Sequence, residues 1–345
     1  MLQTTWFILW GVLWTVYFVL DGYDLGLGML LPFLAKSDED KRVVFNAMGP
    51  FWDGNEVWLL TAGGVTFAAF PRTYATMFSV LYTPLMLLLF ALILRGISFE
   101  FRSKDENPAW RATWDACLTV GSFLPALLLG VAFANIFRGL VFVRNGAALE
   151  SDSLFDLLNP YGLLGGVTFV LLFAVHGALW LAIRTTGPLQ ERGARMARLL
   201  WPFGLVAAAA LLAASWFATP LWQNYLAHPA LFVLPLLAVA GLVLSRVFIA
   251  RRAWWGAWAM SALGIAGATL WGVAGLFPRL FWSRRDPDPL STLTAFNSSS
   301  SPLTLSIMLG VALVMVPVII GYQAWVHVKF SGKVRPEDFG HENAY

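Results

Sequence analysis

The sequence predicts an all-α polytopic membrane protein with nine transmembrane helices. Of its 345 residues, 58% are hydrophobic and only 12% are charged, about half the charged share of an ordinary soluble domain. A chain of this composition cannot cover a water-facing surface, which excludes a soluble enzyme, a disordered protein and a fibrous repeat. The net charge of +3 is too small to indicate nucleic-acid binding. The single cysteine, Cys117, excludes an internal disulfide and an all-cysteine iron–sulfur site.

Nine apolar runs are long enough to cross a bilayer as helices. The second run is the weakest of these, because it is short and carries Asp53 and Glu56. The predicted spans cover about residues 6–33, 53–70, 75–99, 115–137, 160–184, 199–218, 230–250, 256–278 and 303–327. The longest segment outside them on the N-terminal side of the membrane, 279–302, is rich in proline and serine and is predicted to be a loop.

The basic residues orient these spans. Of the 23 lysines and arginines, 17 fall in alternate segments on one side and 6 fall on the other. Because basic residues stay on the cytoplasmic side, the N-terminus is predicted to be periplasmic and the C-terminus cytoplasmic. All 345 residues then form one integral membrane domain.

Ionisable residues concentrate in the first spans, at their predicted cytoplasmic ends. Asp21 and Asp24 are three residues apart in the first span, so both carboxyl groups share one helix face. The ends of the next three spans bring further charges to the same side. The predicted cluster consists of Asp21, Asp24, Asp53, Glu56, Arg95, Glu100 and Asp115.

Two interpretations of this cluster remain open. Acids in series can relay protons across a low-dielectric barrier, with Arg95 keeping some of them ionised. Alternatively, the charges only fix helix packing, and Asp53 caps the second span. We favour proton handling for Asp53, with Asn55 and Glu56 on the same path.

For the remaining charges the structural interpretation is favoured. Asp24 and Arg95 are predicted to form a structural ion pair, and Glu100 and Asp115 to be interfacial charges.

The histidines indicate whether this chain can supply a haem ligand, because haem sites in helical bundles usually need histidine. Only His176 lies well inside a predicted span, whereas His228, His327 and His341 lie at span ends or in the tail. A hydrogen-bonded packing role is favoured for His176 over a haem ligand. The sequence therefore predicts no haem or metal ligand in this chain.

Several motifs resemble subunit II of the cytochrome bd quinol oxidases, and the resemblance extends from end to end. The most specific is Trp-Asp-Gly-Asn at 52–55, inside the stretch 49–59. Further matching segments are 21–26, 95–102, 121–125, 130–135, 158–164 and 299–305.

The resemblance implies a nine-helix subunit made of two four-helix bundles plus one peripheral helix, in a bacterial inner membrane. It implies a partner, subunit I, which carries two b-type haems, one d-type haem and the site for quinol from the membrane pool. The complex reduces O2 to water with protons taken from the cytoplasm, and subunit II supplies none of the haem ligands.

The resemblance also assigns a role to one residue. In the family, the acid of Trp-Asp-Gly-Asn lines a cytoplasmic proton channel at the subunit interface, and that acid is Asp53 here. Glu56 stands where an amide can occur in relatives. Some members hold a structural quinone in subunit II, and a small single-span accessory subunit is a further candidate partner.

Two rival functions come from other classes. A stand-alone ion-coupled transporter would use the same acids as an ion site, but it predicts inverted repeats with matching broken spans, which the sequence does not show. A purely structural scaffold subunit would need the acids only as ion pairs.

Overall fold

The computed structural model describes residues 1–145, 148–151, 154–286 and 291–335, which are largely helical. In chain order its helices are α1 (Leu2–Leu34), α2 (Asp38–Met48), α3 (Trp52–Ala69), α4 (Pro71–Val80), α5 (Tyr82–Phe101), α6 (Pro108–Arg138), α7 (Leu154–Leu157), α8 (Pro160–Arg184), α9 (Gly187–Ala218), α10 (Trp222–Ala227), α11 (Val233–Ala250), α12 (Trp254–Leu276) and α13 (Pro302–Lys329). Short 3₁₀ turns cover Arg102–Lys104 and Pro229–Phe232.

Eight helices in the described part of the chain are long and apolar enough to cross a membrane: α1, α5, α6, α8, α9, α11, α12 and α13. They correspond to eight of the nine predicted spans, and the all-α membrane fold is confirmed. The remaining predicted span, 53–70, is α3, whose 18 residues reach about 27 Å at helical rise. Its polar first turn lowers its hydropathy, so the count of nine remains a prediction.

The helix of the predicted third span, 75–99, is interrupted near its start. Helix α4 ends at Val80, and α5 begins at Tyr82. Pro84 lies in the first turn of α5, where a missing N–H costs nothing, but within a continuous helix it would remove a backbone hydrogen bond. The break at Leu81 resolves that conflict.

Helix α1 lies at the centre of the bundle and packs against α3, α6, α8 and α12. Its contact with α8 is close because glycines face each other. A Cβ atom on Gly26 would lie 1.7 Å from the Phe173 carbonyl oxygen, and one on Gly177 would lie 2.2 Å from the Leu27 nitrogen. Small residues thus allow the two backbones to meet, as is typical between membrane helices.

The helix contacts form two groups that are joined through α8. Helices α1, α3, α5 and α6 pack together, as do α8, α9, α11 and α12, and α8 also packs extensively against α1 and α6. Helix α13 is peripheral, since Leu305 is its only buried residue.

Two short antiparallel hairpins follow α6 and α12. Strand β1 (Phe142–Asn145) pairs with β2 (Ala148–Ser151), and β3 (Arg279–Trp282) pairs with β4 (Thr292–Thr294). The prediction that 279–302 is a loop is therefore wrong for these strand residues. A bridge between Leu140 and Ser283 brings the ends of α6 and α12 together.

Candidate proton-handling site

Five side chains from α1, α3 and α5 meet inside the bundle, and we call them the inner cluster: Asp21, Asp24, Asn55, Glu56 and Arg95. The Arg95 guanidinium binds Asp21 through both oxygens, with Nη2–Oδ1 at 2.6 Å and Nη1–Oδ2 at 3.3 Å. Its Nη1 also lies 3.2 Å from Glu56 Oε2. Asp21, Asp24 and Arg95 are fully buried. Arg95 on α5 thus links α1 and α3, through a bidentate contact with Asp21 and a single contact with Glu56.

Asp24 does not form the predicted ion pair with Arg95. Its Oδ2 instead accepts a 2.7 Å hydrogen bond from Asn55 Nδ2, and its Oδ1 has no hydrogen-bond partner among the described residues. The guanidinium fork is occupied by Asp21 and by Glu56, which comes from another helix. Sequence spacing placed the two aspartates on one face, but it could not show which of them faces Arg95.

The inner cluster holds more acid than base. In the described part of the chain, Arg95 is the only cation within ion-pair distance of Asp21 or Glu56, and Asp24 has none. Burying a second or third uncompensated negative charge in a membrane helix bundle is expensive, and a carboxyl group in that position takes up a proton instead. The inner cluster therefore has more carboxyl groups than its single cation can balance.

A chain of hydrogen bonds continues from the inner cluster to α13. Asn55 Nδ2 lies 2.7 Å from the Tyr23 hydroxyl, which lies 3.3 Å from His327 Nε2. Sequence reasoning missed both Tyr23 and His327. The position of Tyr23 between Asp21 and Asp24 could have indicated its role. For His327 the sequence offered no indication beyond its place at the end of a predicted span.

Gln323 fixes α13 against the start of α3. Its Oε1 accepts a 2.8 Å hydrogen bond from Trp58 Nε1, and its Nε2 donates to the Gly54 carbonyl at 2.5 Å. The last helix therefore supports the segment that carries Asn55 and Glu56.

Asp53 lies in the first turn of α3, outside the inner cluster. It is exposed in the isolated chain and has no hydrogen-bond or ion-pair partner among the described residues. The alternative that Asp53 caps the helix is wrong, because the cap residue is Phe51 and no side chain bonds there. The Glu56 side chain, 21% exposed, lies one turn further along the helix, between Asp53 and buried Arg95.

The other predicted charges do not join this site. Asp115 belongs to what we call the outer ion network: Asp38, Lys41, Arg102, Arg111 and Asp115. Asp115 contacts Lys41 at 2.8 Å and Arg102 at 2.6 Å, and Asp38 contacts Arg102 at 2.5 Å and Arg111 at 2.9 Å. Glu100 is exposed. The single cluster predicted from the sequence is thus divided, because α2 places its own charges beside the ends of α5 and α6.

The outer ion network has three cations for two acids, and the effect of this excess is seen at Asp38. Partial burial disfavours the charged Asp38 carboxylate, but the hydrogen bond from Arg102 and the charges of Arg102, Arg111 and Lys41 outweigh it and lower its pKa. The network therefore stabilises ionised carboxylates.

His176 is buried and uses both ring nitrogens within the chain. Nε2 lies 3.1 Å from the Val19 carbonyl, which can only accept, and Nδ1 lies 3.1 Å from the Ser261 hydroxyl. The ring also stacks on Trp258, with 4.9 Å between centroids. Across the described ranges no group of three or more His, Cys, Asp or Glu side chains is arranged to hold a metal ion.

An apolar cavity of about 360 Å³ lies between the two groups of helices. Its lining combines aromatic rings such as Phe133, Phe169 and Trp271 with small residues such as Ala208 and Ala238. The hydroxyls of the lining threonines, Thr168 and Thr269, bond to carbonyls of their own helices. The cavity therefore suits an apolar ligand.

Comparison with known proteins identifies the family. The sequence model described as "Cytochrome bd terminal oxidase subunit II" matches residues 2–330. The chain is 38% identical to "Cytochrome bd ubiquinol oxidase subunit 2" of Bacillus subtilis, over 96% of this chain and 97% of that one. It is 37% identical to "Cytochrome bd-I ubiquinol oxidase subunit 2" of Escherichia coli K12, over 98% of this chain and 96% of that one.

A solved structure shares the fold. A chain of the bd oxidase from Geobacillus thermodenitrificans superposes with a TM-score of 0.76, over 95% of this chain and 98% of that one, at 14% identity. Because the family model covers nearly all of the sequence and relatives match it over almost their whole length, this multi-pass membrane protein belongs to the family of cytochrome bd terminal oxidase subunit II.

Proposed function

We propose that this chain is the haem-free second subunit of a quinol:O2 oxidoreductase in a bacterial inner membrane. In this role it stabilises a haem-bearing subunit I and lines a path that brings cytoplasmic protons to O2 reduction. The observation that carries the proposal is the inner cluster, in which two acids share one arginine and a third, Asp24, is bonded only by the amide of Asn55.

The proposed proton path begins at Asp53 and continues past Glu56 and Asn55. Along the first turns of α3, exposure falls from Asp53 to Glu56 and then to Asn55, which is 1% exposed. An acid facing lipid would be costly, so the surface around Asp53 is expected to be covered by a partner or by water. We place subunit I there.

The test uses the assembled oxidase with Asp53→Asn and Asp53→Glu. Asparagine keeps the size but cannot carry a proton, so quinol-dependent O2 consumption should fall by about a hundredfold, as for loss of an acid–base group. Haem content and assembly should persist, and Asp53→Glu should retain part of the activity. Glu100→Gln is the matched control, because Glu100 is also exposed near the end of α5 and lies outside the inner cluster.

The outcomes separate the proposal from its rivals. Unchanged turnover in Asp53→Asn across a pH series would remove Asp53 from the mechanism and favour a scaffold subunit. Loss of assembly in both Asp53 variants would favour a structural role. An isolated, stable and colourless chain that transports ions alone would favour the transporter.

The haem-free role rests on His176, whose two nitrogens are already occupied by Val19 and Ser261. We expect His176→Ala to leave the haem content and optical spectrum of the assembled complex unchanged. A complex that assembles but lacks one haem would identify His176 as a ligand.

A second candidate role is the binding of a structural quinone in the apolar cavity, which its size and lining favour. Ala208→Phe should fill the cavity and remove quinone that is extracted with the purified complex. Ala210→Phe is the control, since Ala210 is exposed on the same helix and does not line the cavity. Equal quinone content in both variants would place the quinone elsewhere.

The proposed orientation has its own test. Reporter fusions after Lys104 and Arg192 should report cytoplasm, and those after Asn145 and Asn297 should report periplasm. A reversed signal at any one position would contradict the nine-span arrangement.

A further inference from the structure

Two sets of side-chain contacts join α9 to α11 at one end of the bundle. Trp201 on α9 donates hydrogen bonds to the Leu242 carbonyl at 2.9 Å and to Ser245 Oγ at 3.1 Å, both on α11. About three turns away, Glu191 on α9 binds Arg252 at 2.7 Å, just beyond the end of α11. These two contacts fix the first half of α9 alongside the end of α11.

Three arginines lie between those contacts, and we call them the arginine patch: Arg195, Arg198 and Arg246. Glu191, Arg195 and Arg198 are spaced by four and three residues, so they share the face of α9 that Glu191 and Trp201 turn toward α11. Arg246 reaches the patch from α11, because its guanidinium lies 5.9 Å from the centroid of the Trp201 ring.

The arginine patch lacks counter-charges. The segments 187–201 and 242–258 contain a single acid, Glu191, which pairs with Arg252, while Arg192 pairs with Asp40 at 2.6 Å. No carboxylate lies within ion-pair distance of Arg195, Arg198 or Arg246 in the described ranges. The outer ion network shows the contrast, since each of its cations contacts an acid.

The surroundings of the patch are those of a membrane interface. On α9, Leu199, Phe203 and Val206 follow the arginines and are at least 58% exposed. Val243 and Val247 on α11 are also exposed, and Trp254 and exposed Trp255 begin the next helix. Apolar surface on one side, interfacial tryptophans and arginines without a carboxylate partner together match the acyl chains, interface and headgroup of a phospholipid.

We propose that the arginine patch binds the phosphate headgroup of an anionic phospholipid, whose acyl chains lie along the exposed apolar faces of α9 and α11. Arg195 and Arg198 contact the phosphate, and Arg246 is held in place for it by the Trp201 ring. The acyl chains follow the outer surface and do not enter the apolar cavity. This site is independent of the proton path and of the subunit interface near Asp53.

The test is performed on the assembled oxidase in phosphatidylcholine vesicles that contain a minor fraction of phosphatidylglycerol. Native mass spectrometry of the released complex measures how tightly phosphatidylglycerol is retained. The triple variant Arg195→Gln, Arg198→Gln, Arg246→Gln should bind it about a hundredfold more weakly, since each basic residue contributes roughly fivefold at a membrane surface. The triple lysine variant should keep most of the binding.

Arg279→Gln is the matched control, because Arg279 also stacks over a tryptophan, Trp282, at 5.3 Å. It should retain phosphatidylglycerol like the unchanged protein. If the triple glutamine variant does not assemble, the exposed single variant Arg195→Gln should still weaken retention about fivefold.

The proposal would be overturned if the triple glutamine variant retained phosphatidylglycerol as tightly as the unchanged protein does. It would also be overturned if Arg279→Gln lost as much phosphatidylglycerol as the triple variant, or if the unchanged protein retained phosphatidylcholine as tightly as phosphatidylglycerol. Displacement of the lipid by millimolar inorganic phosphate would likewise show a general anion site rather than a lipid site.

Discussion

The inner cluster, on α1, α3 and α5, and the outer ion network, on α2, α6 and the turn after α5, both bring acids together with bases, yet they are built differently. In the outer ion network, Asp38 and Asp115 each contact two cations. In the inner cluster, one arginine serves Asp21 and Glu56, and Asp24 relies on the amide of Asn55. The outer network therefore has enough cations to keep its carboxylates ionised, and the inner cluster does not.

This difference separates two uses of charge. A network with enough cations joins helix ends at little cost, and its exposed ion pair between Arg111 and Asp38 is weak. A buried group with excess acid is costly unless protons complete the balance. The same residue types thus join α2 to α6 in one place and, in our proposal, form a site for exchangeable protons in the other.

The largest expected effect tests whether Arg95 supports the inner cluster. Arg95→Gln leaves buried Asp21 and partly exposed Glu56 without a cation, which should destabilise the assembled protein by about 3–5 kcal/mol. Arg111→Gln in the outer ion network should cost less than about 1 kcal/mol. Thermal unfolding of the purified complex measures both.

The double variant Arg95→Gln, Asp21→Asn removes one of the unpaired charges and should recover part of the lost stability. If Arg95→Gln were as stable as Arg111→Gln, the two regions would not differ as we describe.

A smaller effect is expected from Glu56→Gln. The change removes one acid from the inner cluster and keeps the shape of the side chain. The complex should assemble with unchanged stability, and O2 consumption should fall between about two- and tenfold, below the loss for removing a direct acid–base group. Activity below that of Asp53→Asn would show that Glu56 is the principal acid.

The smallest effect is expected from Asp38→Asn in the outer ion network. Because the folded-state pKa of Asp38 is lowered, its contribution to stability is present above its ordinary pKa and is lost as the pH falls through the lowered value. The variant should be less stable at neutral pH by under about 1 kcal/mol, since its side chain is 44% exposed.

Melting temperatures of the two proteins should converge in acid. The neighbouring exposed acid provides the control, and Glu39→Gln should follow the unchanged protein at every pH. A constant difference for Asp38→Asn down to the lowest pH would show that its charge does not act through the network.

Much of the fold could be predicted from the sequence because its signals are local. Apolar runs gave eight of the membrane helices, and three-residue spacing put Asp21 and Asp24 on one face. What the sequence could not provide was the pairing between helices. Whether Arg95 faces Asp21 or Asp24 depends on the rotation of α5 against α1, and the separation of Asp115 depends on where α2 places Lys41 and Arg102.

The contacts of α13 have a consequence for the order in which the protein is completed. Gln323 bonds to Gly54 and Trp58, and His327 bonds to Tyr23, so the far end of the chain supports the segment around the inner cluster. During synthesis α13 follows every other helix described here. Until α13 has inserted, Gly54, Trp58 and Tyr23 in the earlier helices lack these hydrogen-bond partners. The hydrogen bonds around the inner cluster are therefore complete only after the last helix is in the membrane.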